Sequence, residues 1–138
     1  MKILLSVVVL AMFSNIANAE LLHRITTSGL IIKDTLEVHA FDDPDIAGIT
    51  CYVTLPKRTL SIEDQTDTSI SCRRTGKISG EMASKQRIFK ENKSWFIKTM
   101  FIDRIYDKKR NVLVYVSYTK KLSGDNANNS VSVVALNP

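Results

Sequence analysis

Three aspartates crowd one proline in the run Phe41-Asp42-Asp43-Pro44-Asp45-Ile46-Ala47-Gly48, and Cys51 follows shortly after. Clustered carboxylates can hold a hard cation, share a proton for acid–base work, or cap a turn. Counted from Asp43, the spacing begins like a calcium loop, with Gly48 where the sharp-turn glycine belongs. Ala47 and Thr54 then stand where such a loop needs an oxygen ligand and a bidentate glutamate, so the EF-hand pattern fails. A looser calcium-stabilised module and a hydrolase built on Asp42, Asp43 and Asp45 stay open as alternatives. Turn chemistry explains the same residues locally. Asp43 opens a type I turn, Pro44 presets φ, and the Asp43 carboxylate can accept the N–H two residues on.

Little else in the chain offers chemistry. The histidines are His23 and His39, and neither sits in a recognisable base or ligand pattern. No serine lies in a nucleophile elbow, and no phosphate loop or dinucleotide fingerprint occurs. No catalytic residue, metal site or cofactor is therefore expected, and a non-catalytic protein is the expectation. Cys51 and Cys72 lack Cys-x-x-Cys spacing, which excludes a redox or zinc motif. An even cysteine count in an exported chain favours a disulfide. Its loop of about 20 residues is worth roughly 3 kcal/mol in the chain-entropy estimate.

Export is read from the N-terminus. Lys2 precedes an apolar run from Ile3 to Phe13 and a small-residue site at Ala17-Asn18-Ala19. This is the layout of a signal peptide, residues 1–19, cleaved after Ala19. The run is too short to cross a bilayer as a helix, and no later segment in the sequence is long enough. What remains, residues 20–138, suits one domain. Its charge is uneven: residues 20–70 carry 4 basic and 9 acidic side chains, residues 71–138 carry 14 and 5. Secretion argues against nucleic acid as the partner, and a periplasmic or envelope protein is expected instead.

Strand signals recur along the domain. Leu36–Phe41 alternates, with Leu36, Val38 and Ala40 on one face; Ile49–Thr54 and Ser69–Arg73 each carry one cysteine. Trp95, Ile97, Phe101 and Ile105 share a face, with Lys98 and Arg104 opposite. The polar run Tyr106–Asn111 then leads into Val112–Thr119, which makes a long hairpin with Lys108, Lys109 and Arg110 at its tip. A last strand covers the region of Ser130–Leu136, and Gly76–Ser84 allows a short helix. Six or seven antiparallel strands with little helix predict a mainly β domain, a small sandwich or barrel-like fold with one disulfide.

The runs AFDDPDIAGITCYVT, EDQTDTSISCR and IYDKKRNVLVYVSYTKKL, and the closing NNSVSVV, resemble the CreA family of small exported bacterial proteins. The likeness spans about Leu36 to Val134. It implies a periplasmic protein with a cleavable leader and matches Cys51 and Cys72 to the family's cysteine pair. It implies no catalytic residues and no assigned biochemical role. Two departures stand out. The segment between the cysteine strands is shorter than the relatives' glycine-rich one, and Arg73-Arg74-Thr75-Gly76-Lys77-Ile78 replaces a QVGPI-like run. Such divergence points to a specialised member, linked to a secretion, conjugation or envelope regulatory system. Binding is assigned to the acidic turn, Asp42, Asp43 and Asp45, and to the basic tip, Lys108, Lys109 and Arg110.

Overall fold

The structure is a computed structural model that describes residues 16–31, 34–57, 68–94, 98–121 and 128–137. Its elements are β1 (Glu20–Ser28), β2 (Asp34–Asp42), β3 (Ala47–Lys57), β4 (Ser69–Ser79), β5 (Lys85–Ser94), β6 (Lys98–Asp107), β7 (Val112–Lys121) and β8 (Asn129–Ala135). They form two antiparallel sheets, β1-β2-β3-β4 and β5-β6-β7-β8, each a simple meander. The mainly β expectation holds, with no helix among the described residues. Gly76–Ser84 is not helical: β4 runs on to Ser79, and a short loop leads into β5.

The disulfide joins directly paired positions, Cys51 of β3 and Cys72 of β4, with Cα atoms 4.0 Å apart. The hairpin from Tyr106 to Val112 is present as expected, and Asn111 supplies its left-handed residue at φ 55°. Asparagine tolerates that region because its short side chain can bond locally. Two strands escaped the periodicity reading. β1 is exposed along its whole length, and β5 carries bulges at Arg87–Phe89 and Asn92–Ser94 that interrupt its alternation. Trp95 and Ile97 lie outside the described residues.

The sheets face each other across Phe41, Ile46, Ile49, Cys51, Val53 and Leu55 on one side and Ile88, Phe89, Met100, Ile102, Leu113 and Tyr115 on the other. Phe41 stacks on Phe89 with ring centres 5.4 Å apart. The barrel does not close. At the β4–β8 seam the backbone N–H groups of Ile70 and Cys72 donate to the hydroxyls of Ser130 (3.4 Å) and Ser132 (2.8 Å). Side-chain oxygens thus satisfy donors that a ladder would otherwise take, which blunts the β4 edge against pairing with another chain. Beside β5, the Ala17 N–H donates to the Ile88 carbonyl at 2.8 Å, and Ala17 is buried.

The acidic turn is sealed by two glycines. Gly48 sits at a bulge in β3 with φ +87°, and a Cβ there would run into the Lys77 carbonyl; one at Gly80 would strike the Asp45 carbonyl. Both the backbone region and the close approach require glycine. Gly48→Ala is therefore expected to cost on the order of 1–3 kcal/mol, read from urea denaturation. An unchanged midpoint would mean that the β3–β4 contact yields without penalty.

Candidate functional site

The acidic turn folds inward. Asp43 ends as a buried carboxylate with four donors. Its Oδ1 accepts the N–H of Asp45 (2.9 Å) and of Ile46 (3.0 Å) and the Arg104 guanidinium, while Oδ2 accepts the Tyr115 hydroxyl at 2.7 Å. The Asp45 N–H contact is the turn chemistry expected from the sequence. The second Arg104 nitrogen reaches Asp45 at 3.3 Å. Asp42 points outward and accepts the Thr50 hydroxyl at 2.7 Å. The three aspartates thus do not converge on one open site, and His39 is not with them.

Arg104 decides which face of β6 lies inside. Phe101 and Ile105 share one face and Arg104 lies on the other, as the alternation implied, but the arginine's face is the inner one. The structure buries Met100, Ile102 and Arg104, the last only 1% exposed, and turns Phe101, Asp103 and Ile105 to the outer face. A charge is tolerated inside only when paired and hydrogen-bonded, and Asp43 provides that. The partner paired to each residue shares its face. β7 therefore sends Leu113, Tyr115, Ser117 and Thr119 inward and Val112, Val114 and Val116 outward. In β2, Leu36, Val38 and Ala40 share a face as read from the sequence, but it is Phe41, His39 and Glu37 that share the Cys51–Val53–Leu55 face.

His39 lies 2.7 Å from the Glu37 carboxylate, which Arg24 also contacts at 3.1 Å. Burial pushes the Glu37 carboxyl up, but the His39 and Arg24 bonds and the nearby Lys57 charge together hold it below its ordinary range. Lys57 also pairs with Glu91 across the sheets at 3.4 Å. The Arg24–Glu37 and Lys57–Glu91 pairs join strands whose register is set elsewhere, so they were not visible in sequence; Glu37 and His39 stand two apart on β2 and share a face. Among the described residues no group of three or more His, Cys, Asp or Glu side chains is arranged to hold a metal.

The basic tip is self-contained in part. Arg110 pairs with Asp107 at 2.9 Å, and that bond holds the Asp107 carboxyl below its usual range. Lys108 and Lys109 are exposed. Beside Cys72, the basic run has a structural member, since Arg74 donates to the carbonyls of Gly76 (3.2 Å) and Leu136 (3.3 Å).

The outer face of the second sheet is the surface that sequence reasoning missed. Its cross-strand rows run Lys85–Ile105–Val114–Val133, then Arg87–Asp103–Val116–Val131, then Lys90–Phe101–Tyr118–Asn129. The β8 side is aliphatic and open: Val131 is 61% exposed, Val133 56% and Ile105 37%. The β5 side is basic. Arg87 lies flat over the Phe101 ring, 3.9 Å from its centre, and donates to Asp103 (3.0 Å) and to the Tyr118 hydroxyl (2.8 Å). Tyr118 in turn donates to Asp103 at 2.7 Å. The Asp103 bond raises the Arg87 pKa further, so this guanidinium is fixed in place and permanently charged.

Together these features define an open antiparallel β-sandwich, stapled by one disulfide, locked by a buried Asp–Arg–Tyr cluster, and carrying an uncovered aliphatic face. The family model described as CreA protein matches residues 23–138, and the chain belongs to the CreA family. It is 33% identical over 143 aligned residues to Protein CreA of Escherichia coli strain K12, covering 94% of this chain and 91% of the relative. Protein CreA of Escherichia coli O157:H7 matches to the same extent. No solved structure matches.

Two outcomes follow from the buried cluster. Asp43→Asn strands Arg104 and is expected to cost about 3–5 kcal/mol, whereas Asp42→Asn on the surface costs less than about 1 kcal/mol; equal losses in denaturant titrations would contradict the lock. Tyr115 is pushed far above the ordinary tyrosine range, first by burial and then by its bond to Asp43. Above about pH 10 the unfolded chain releases a proton that folded Tyr115 keeps, so stability falls as pH rises further. Tyrosinate absorbance should leave one of the four tyrosines untitrated until unfolding, and Tyr115→Phe should make that slope shallower. An unchanged slope would mean that Tyr115 titrates in the folded state.

Proposed function

We propose that this CreA-family chain is an exported protein of the periplasm, released by cleavage after Ala19, that acts by binding an envelope or periplasmic partner and not by catalysis. The leader pattern supports export, and a paired Cys51–Cys72 suits an oxidising compartment. The observation that carries the binding reading is β7, apolar on both faces over its first half, whose outer valines continue onto β8 as the exposed Val131 and Val133. Antiparallel strands with one solvated face normally alternate apolar and polar residues, and strands apolar on both faces are normally covered on both. Here the outer valines stand in solvent beside an ordered arginine, and contiguous exposed apolar surface of this kind marks interaction sites.

The acidic turn contributes less to binding than its sequence implied, because Asp43 is filled by protein donors and Asp45 turns to Arg104. That geometry gives no support to a hydrolase or a calcium-stabilised module built on the turn. Asp42 and the exposed Lys108 and Lys109 remain as outlying contacts. A partner within a secretion, conjugation or envelope regulatory system fits the basic divergence after Cys72.

The test is a photo-crosslinking residue placed at Val131 in cells that express the full chain. A discrete periplasmic adduct that disappears with Val133→Asp is expected. No adduct, or one that ignores Val133→Asp, would remove the outer face as the binding surface.

A further inference from the structure

Granting that the outer face of β5–β8 binds, we infer that its occupant is an acidic protein segment whose aliphatic side chains pack on Val114, Val116, Val131 and Val133 while its carboxylates meet Arg87 and Lys85. The inference rests on charge complementarity graded across one surface. Lys85, Arg87 and Lys90 line the β5 side of this face, and Lys120 lies beyond Tyr118 on β7. The two described carboxylates that share it are already neutralised. Asp103 is buried under Arg87, Tyr118 and Lys85, and Asp107 is paired with Arg110. With the Asp107–Arg110 pair cancelling, Lys85, Arg87, Lys90 and Lys120 stand against the single described carboxylate Asp103, so the face keeps a cationic excess even after Asp103 is paired.

Arg87 is the anchor of that arrangement. Its side chain is 41% exposed, yet its orientation is set by the Phe101 ring, the Asp103 carboxylate and the Tyr118 hydroxyl. A guanidinium held this way loses little entropy on meeting a carboxylate, and arginine beside aromatic rings is the composition of interface hot spots. Burial and the Asp103 bond raise the Tyr118 pKa, so its hydroxyl stays protonated and keeps this scaffold intact near neutral pH. The adjoining valines supply the apolar contact. Val114 and Val116 lie two strand spacings from Arg87 and Val131 and Val133 three, about 14 Å, a span one extended segment can cover.

The experiment uses the disulfide-bonded protein, with the peptide acetyl-Val-Ser-Val-Ser-Glu-Ser-Glu-amide as probe, which in extended form turns its valines and glutamates to one face, and its lysine counterpart as control. NMR titration should show shifts at the Arg87 side chain and at the methyl groups of Ile105, Val114, Val131 and Val133. Binding of the glutamate peptide should exceed that of the lysine peptide by about tenfold, equivalent to ~1.4 kcal/mol. Val133→Asp and Lys85→Glu, both at exposed positions, should each weaken it. Equal binding of the two peptides, or no binding at millimolar concentration, overturns the acidic class. Binding to phosphatidylglycerol vesicles without peptide preference assigns the face to lipid and overturns it as well. So does self-association in sedimentation that Val133→Asp abolishes. A crosslink at Val131 that persists when the peptide fails leaves the partner-binding reading standing and removes only the acidic chemistry.

Discussion

The ion pair between Asp43 and Arg104 is the constraint on which the rest of the structure depends. It joins a turn of the first sheet to the middle of the second, across 61 residues of sequence. Burying two charges carries a desolvation penalty that a single contact does not repay. Here the carboxylate also holds two backbone N–H groups and a tyrosine hydroxyl, so its acceptor capacity is filled. The same bonds set the shape of the turn, and the turn sets where β3 begins. From there the register carries Cys51 opposite Cys72.

A second consequence runs through β6. Side chains alternate strictly along a strand, so fixing one residue inside fixes every other. With Arg104 held inward, Phe101, Asp103 and Ile105 have no choice but the outer face. Pairing extends that choice to β7 and β8, whose valines follow outward. The exposed aliphatic surface is thus the geometric complement of the buried salt bridge.

Much of this fold was legible locally. Ile49–Thr54, Ser69–Arg73, the hairpin around Lys108–Arg110 and the final strand each announce themselves through β-branched runs and turn residues. The Asp43–Pro44–Asp45 turn was legible for the same reason, since its first hydrogen bond spans two residues. The faces of β2 and β6 were not. Alternation assigns apolar residues to the inside, and it cannot anticipate an arginine whose partner is distant in sequence. The Arg24 bond to Glu37, the carboxylate that also meets His39, was hidden as well, because it forms only once β1 and β2 have paired. The CreA likeness was legible from its sequence runs, but the binding face was not, since it depends on which side of three strands meets solvent.

The seat of Ala17 bears on the order of events during biogenesis. Its N–H is bonded to the Ile88 carbonyl and its methyl group is buried in the core, two residues before the proposed cut after Ala19. A peptidase needs an extended, accessible segment on both sides of the bond it cleaves. Once β5 has closed over Ala17, that segment is withdrawn. Were the chain cut there as proposed, the cut would have to precede that closure, and the finished fold would stand without the Ala17 contacts.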